Sequence, residues 1–232
     1  MTILQPRRPK HLPDYSELCL QALVDHGLAE KISLGGALGP LHYLDYRATH
    51  DVDAWWTDTA TEADRRQVLQ ILEEVLRQAG EVKTRGWGDV ASVELVHAGK
   101  TVFSFQIAHR SAQLDPTRLA PWIQVPLDSL ADLVASKMVA LVERGAPRDF
   151  RDIHALCQAG LLMPRDCWAL WQRRQTAAGS PADVGRAKLA IQTHLARIAQ
   201  HRRLDQIADS TQQQQAEALR AWYTGEFLDA AE

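Results

Sequence analysis

Apolar residues follow two different periods along this chain, and the change falls near its middle. Leu18, Leu20, Ala22, Leu23 and Leu28 predict a helix of about four turns, with Asp14 and Glu17 as a capping box ahead of it. A short apolar run from Lys31 to Leu34 stops at Gly35-Gly36, which reads as strand, tight turn and a short helix across Leu38 to Tyr46. From His50 to Trp56 charged and apolar residues alternate, as in a half-buried strand. Thr61 opens a helix with Val68, Leu69, Leu72, Val75, Leu76 and Ala79 on one face, and Gly80 ends it. Glu81 to Thr84, Ala91 to Val96 and Lys100 to Ile107 then predict three strands, with Gly86, Gly88 and Ala98-Gly99 at the turns.

From Leu127 onward only helical spacing remains. Ser129 with Asp132 caps a helix to Glu143, Gly145 and Pro147 break it, and a second helix covers Asp149 to Gln158. Pro164 sits at a first helical position ahead of Trp168 and Trp171, Ser180-Pro181 starts a helix to about Gln200, and a last one runs from Gln212 to Leu228. Pro116, Pro121 and Pro126 mark a break over residues 110–127. The expected organisation is a flexible N-terminal arm over 1–13, an α/β domain over 14–126 and a helical domain over 127–232.

Composition narrows the class. The chain has 232 residues, 46% hydrophobic and 24% charged, a globular balance that excludes a disordered or collagen-like chain. A net charge of -3 argues against a protein that binds nucleic acid over its whole surface, although a local basic face remains open. Eight Lys/Arg against two acids lie between Arg165 and Arg203, which reads either as a solvated helix face or as a face for an RNA backbone. Cys19, Cys157 and Cys167 have no metal or redox spacing and are expected as reduced thiols. The polar, basic start fits no signal peptide and no apolar run approaches a membrane span, so no membrane and a cytoplasmic location are expected.

The chemistry concentrates between Leu34 and Trp55. Glycines at a strand-to-helix turn expose backbone N–H groups to an anion. Asp51 and Asp53 lie two apart on a strand, so both carboxylates leave one face, an arrangement that suits Mg²⁺ shared with substrate phosphates. Trp55 and Trp56 follow directly, and one of them is expected to face the site and stack a base. In the second half Lys137, Leu141 and Arg144 share a helical face, and Asp149 and Asp152 share the next. This reads as a phosphate clamp followed by an acid/base or ion-pair cluster, with Lys137 snorkelling at the border of an apolar stripe and dispensable for folding.

Leu34-Gly35-Gly36-Ala37-Leu38, Arg47, Thr49 and Asp51-Val52-Asp53 resemble the first motif of the AbiEii/AbiGii toxin family of nucleotidyltransferases. Lys137 to Arg144 and Arg148-Asp149-Phe150-Arg151-Asp152 resemble its later motifs, and the resemblance spans residues 30–160. It implies an α+β fold: a nucleotidyltransferase-like small mixed sheet with flanking helices, followed by an all-α C-terminal domain. It also implies an NTP substrate with Mg²⁺, nucleotide transfer to a hydroxyl on RNA or tRNA, and a cognate antitoxin as partner. Carried over by position, Gly35 and Gly36 would hold the triphosphate, with Lys137 and Arg144 on its phosphates. Asp51 and Asp53 would be catalytic metal ligands, and Asp149 or Asp152 would serve the acceptor hydroxyl or organise the site. One departure stands out. Nucleotidyltransferases usually carry a third carboxylate on a later strand, and Thr101 to Ile107 contains no acid; Gln106 has the shape of a glutamate, and Glu94 is the alternative. A catalytically impaired binding or regulatory protein is therefore one rival reading; an antibiotic nucleotidyltransferase, with the same chemistry on a small-molecule acceptor, is another.

Overall fold

The computed structural model describes residues 4–231; Met1 to Ile3, the start of the expected arm, and Glu232 lie outside the described residues. The chain packs as two units, Met1–Leu133 and Val134–Glu232.

The first unit is built on one mixed sheet. Its strands are β1 (Ile32–Leu34), β2 (Asp51–Trp56), β3 (Glu81–Trp87), β4 (Val90–His97), β5 (Lys100–Ala108), β6 (Arg118–Leu119) and β7 (Pro126–Leu127), in the order β3-β4-β5-β2-β1-β7-β6. Alternation decides its two faces. Val52, Ala54, Val93, Leu95, Phe103, Phe105 and Ile107 are buried. Helices α1 (Ser16–Asp25) and α3 (Glu62–Arg77) pack on each other, and α3 packs on β3 and β4. The residues between the apolar ones, Asp51, Asp53, Ser104 and Gln106, face the opposite way.

Local chemistry fixes the helix ends. Thr61 accepts from the Asp64 backbone N–H and the Asp64 carboxylate accepts from the Thr61 N–H, a full capping box that starts α3 where the sequence predicts. At α1 the expected Asp14/Glu17 box does not form. Tyr15 is the N-cap in a left-handed conformation, φ 65°, and the Glu17 carboxylate accepts from Arg8 instead. That pair, with the Arg7 N–H donating to His42 O and the Lys10 N–H to Asp45, fastens the described part of the arm expected to be loose. The predicted helix over Leu38 to Tyr46 shortens to α2 (Leu38–Leu41). Behind it, buried His42 places Nδ1 against Leu38 O and Gly39 O, and its Nε2 accepts from Trp122 Nε1 at 3.1 Å. Burial depresses the His42 pKa below the ordinary histidine value, since the charged ring would be desolvated.

The proline-rich stretch over 110–127 is not a plain connector. It supplies β6 and β7, and Leu127 pairs in parallel with Leu34, so the sheet closes over the outer edge of β1. Asp132 holds this stretch, accepting from the Leu114 and Asp115 N–H groups at 2.7 and 3.0 Å, while Ser129 caps the following helix as predicted.

That helix, α4 (Leu130–Glu143), carries the division between the units. In the second unit follow α5 (Pro147–Gln158), α6 (Pro164–Ala177), α7 (Val184–His201) and α8 (Ser210–Trp222). Its core is aromatic: Tyr223 and Phe150 meet edge-on at 4.8 Å, the Tyr223 hydroxyl donates to Phe150 O, and Trp168 Nε1 donates to Phe227 O. Prolines open α5 and α6 at positions whose N–H would lack a partner in any case. Asp183, rather than Ser180, caps α7 by accepting from the Arg186 N–H.

Candidate functional site

The glycine turn and the two aspartates come together in the first unit. β1 and β2 are antiparallel, with Leu34 opposite Ala54, so Gly35 emerges beside Asp53; its N–H donates to Asp53 O at 2.9 Å. Gly36 adopts φ +51°, a conformation that disfavours side chains, and a Cβ there would overlap the Asp53 carboxylate. The Ala37 N–H donates to Asp53 Oδ2 at 3.2 Å. A Cβ on Gly35 would strike the Trp55 indole, so both glycines are required by close approach. Trp55 lies half-buried on the aspartate face while Trp56 is buried in the core, which answers which tryptophan faces the site.

β5 runs parallel to β2 and sets Ser104 beside Asp51 and Gln106 beside Asp53. Ser104 Oγ donates to Asp51 Oδ1 at 3.0 Å, and Gln106 Nε2 donates to Ser104 Oγ at 3.2 Å. A neutral amide thus stands where a neighbouring strand would bring a third acid. Glu94 is one strand further out, opposite Ser104, where Thr101 Oγ1 donates to its carboxylate and Arg85 pairs with it. Among the described residues no group of three or more His, Cys, Asp or Glu gathers as metal ligands. Two same-face carboxylates with neutral oxygens nearby nonetheless fit a Mg²⁺ whose other ligands are phosphate oxygens and water.

In the second unit the four other candidates form two ion pairs. Lys137 Nζ lies 2.7 Å from Asp152 Oδ2, with 8% of the lysine side chain and none of the aspartate exposed. The expected snorkelling lysine is therefore corrected: its ammonium is buried and paired, because α4 and α5 both bring polar groups into one apolar interior. Arg144 grips buried Asp149 with Nε and Nη2, each at 2.8 Å, and Asp149 also accepts from the Ala146 N–H at the start of α5. The Arg144–Asp149 pair sits where α4 turns into α5, and the Lys137–Asp152 pair joins the interiors of the two helices.

Sequence reasoning missed a third polar cluster. Asp128 follows β7, and its carboxylate accepts from Ser33 Oγ at 2.9 Å and from Arg110 Nη2 at 2.9 Å, while the Asp128 N–H donates to Leu34 O. Burial pushes the Asp128 carboxyl above the usual carboxylate range, and Arg110 and Ser33 pull it back. This cluster braces the end of β1 immediately before the glycine turn. Its members are 77 and 95 positions from Ser33, so no local pattern could reveal it.

A glycine turn ending a strand beside paired carboxylates has the chemistry that binding a phosphate ester with a divalent cation requires. The family model described as the nucleotidyl transferase AbiEii toxin of type IV toxin–antitoxin systems matches residues 18–229. The chain belongs to this nucleotidyltransferase toxin family. Comparison with curated proteins gave no match. A solved structure, an antigenic nucleotidyltransferase-like protein from Paracoccidioides brasiliensis, aligns over 85% of this chain and 91% of its own at 16% identity and a TM-score of 0.43. No helix of the described residues is long and apolar enough to cross a membrane.

Proposed function

We propose that the protein transfers a nucleotide from an NTP with Mg²⁺ to a hydroxyl on RNA, with tRNA as the first candidate, and that a cognate antitoxin restrains it in the cytoplasm. The observation that carries this reading is the packing of the Gly35-Gly36 turn onto Asp53, with Asp51 and Asp53 on one face. Asp51 and Asp53 would hold the Mg²⁺, which when bound neutralises phosphate charge. The turn, whose Gly35 and Ala37 N–H groups donate to Asp53, fixes that carboxylate for the metal and so orients the triphosphate. The acceptor oxygen forms a bond to the α-phosphorus as the bond to the bridging oxygen breaks; pyrophosphate leaves with that electron pair, and the hydroxyl proton passes to a base. The family resemblance assigns Lys137 and Arg144 to the phosphates and Asp149 or Asp152 to the acceptor. Those roles require each side chain to exchange its present ion-pair partner.

Incubation with each α-labelled NTP, Mg²⁺ and total tRNA tests the proposal. Label should enter RNA with the wild type and fall at least a hundredfold with the double variant Asp51→Asn, Asp53→Asn. Equal labelling by both proteins sinks it. Gln106 beside Asp53 favours one alternative, a nucleotide-binding regulator that has lost turnover. In that case NTP with Mg²⁺ still raises the melting temperature of the wild type while no label is transferred.

A further inference from the structure

The polar face of the sheet continues past the aspartates to the outer strand. One row crosses four strands in register, from Asp53 through Gln106 and Ser92 to Arg85. A second row joins Asp51, Ser104, Glu94 and Lys83, and a third joins Trp55, Ala108, Val90 and Trp87. Residues paired across neighbouring strands project to the same side, so Lys83, Arg85 and Trp87 share the aspartate face. Two contacts confirm the side. Thr84, at the opposite parity, donates to Glu73 of α3 on the covered face, whereas Arg85 reaches Glu94 at 3.7 Å.

These three residues are open to solvent. Trp87 is 49% exposed, and the side chains of Lys83 and Arg85 are 44% and 59% exposed. About half of the Trp87 indole lies in water on an outer strand, where a flat base can stack on it. The Lys83–Glu81 pair is exposed on both sides, at 3.3 Å, so a phosphate can displace the acid at little cost. In the Arg85–Glu94 pair, at 3.7 Å, only the arginine is exposed, and Glu94 keeps its hydrogen bond from Thr101 when Arg85 turns to a phosphate. Ser92, between Arg85 and Gln106, has a buried Oγ with no hydrogen-bond partner among the described residues.

Reaction geometry gives this face a direction. The inference rests on the transferase reading above. There the pyrophosphate leaves on the side of the Gly35-Gly36 turn, which is the β1 side of Asp53. In-line displacement brings the attacking oxygen from the opposite side of the α-phosphorus, over β5, β4 and β3. We infer that β3 is the docking platform for the acceptor, a single-stranded RNA end whose base stacks on Trp87 and whose phosphates pair with Arg85 and Lys83. β3 lies about 14 Å from β2, three strand spacings away. The platform therefore holds nucleotides a few positions from the terminal hydroxyl and leaves that hydroxyl free to reach Asp51 and Asp53. Alternating cations with a flat ring is the pattern that binds single strands without reading their sequence.

The test uses the full chain, without NTP, and a fluorescein-labelled single-stranded RNA 12-mer followed by anisotropy. Trp87→Ala should weaken binding about tenfold, and Trp87→Phe, which keeps a ring, should recover most of it. Lys83→Ala with Arg85→Ala should flatten the log–log salt dependence by about 1.4, two lost phosphate contacts on a single strand. Thermal stabilisation by NTP with Mg²⁺ should be the same in all these variants as in the wild type. Unchanged RNA binding in Trp87→Ala and in the double variant overturns the platform, as does a wild type that binds no RNA. Loss of NTP stabilisation in Trp87→Ala also overturns it, since the ring then serves the donor. If the variants weaken RNA binding while the wild type transfers no label, the platform stands and the transferase reading falls.

Discussion

Gly36→Ala separates the glycine turn's part in the site from its part in the fold. Gly36 and Gly27 both have positive φ, +51° and +69°, but they differ in surroundings. An alanine Cβ at Gly27 meets nothing within 4 Å, whereas at Gly36 it overlaps the Asp53 side chain. Holding an L-residue in the left-handed region costs about 1–2 kcal/mol at either position. At Gly36 the Asp53 carboxylate must also swing away from the Ala37 N–H, losing a charge-assisted hydrogen bond of about 1.5–3 kcal/mol. The expected loss is thus about 1–2 kcal/mol for Gly27→Ala and roughly 2.5–5 kcal/mol for Gly36→Ala. At about 2–4 °C per kcal/mol for a chain of this size, the two melting temperatures are well resolved. Melting is then repeated with Mg²⁺ and each NTP. A ligand at a hundred times its Kd adds about 2.7 kcal/mol to the native state. Gly27→Ala should keep that increment in full, and Gly36→Ala should lose most of it because the displaced carboxylate no longer faces the phosphates. An equal ligand-induced rise in the two variants would refute the placement of the triphosphate on this turn.

Lys137→Ala should destabilise the protein by about 3–5 kcal/mol in urea titration, because it strands the Asp152 carboxylate in the interior, and Lys137→Met with Asp152→Asn should restore most of the loss. A marginal effect of the single variant would mean that the pair is solvated. His42 should weaken the fold in acid: its native pKa lies below the unfolded value, so its contribution is complete above about pH 6.5 and is lost as pH falls, by at most about 1.4 kcal/mol per unit. Protonated Nε2 can no longer accept from Trp122, and His42→Gln should flatten the pH dependence of the melting temperature between pH 7 and 5. Gln106→Glu should raise the rate of label transfer by supplying a carboxylate beside Asp53; an unaltered rate would remove this position from the reaction.

What the sequence disclosed follows from the range over which each signal acts. The alternation from Asp51 to Trp56 and the Thr61 cap are set by neighbours within a few residues, and both appear in the structure as read. The glycine turn was legible as a turn, but its contact with Asp53 depends on strand pairing across 16 positions or more. β6 and β7 escaped notice because two residues each carry no periodicity, and Pro126 argues against a strand unless the pairing edge is known. The Lys137–Asp152 pair was misjudged for a related reason. A lysine amid apolar residues looks the same in sequence whether its ammonium escapes to water or finds a carboxylate inside. The acid-free character of β5 was visible at once, yet only the register showed that Gln106, rather than Glu94, adjoins the aspartates.

The pairing of Leu34 with Leu127 bears on how the chain emerges from the ribosome. β1 and β2 can associate as soon as both are made, but the outer edge of β1 then has to wait until about 70 more residues have been synthesised. During that interval a short apolar strand presents free amide and carbonyl groups to whatever is nearby. Fragments ending near residue 110 would keep that edge open permanently, and they should self-associate more readily than the full chain. A translating ribosome that stalls in this stretch leaves the same exposed edge, so the window in which the nascent protein is most vulnerable lies between completion of β5 and arrival of β7.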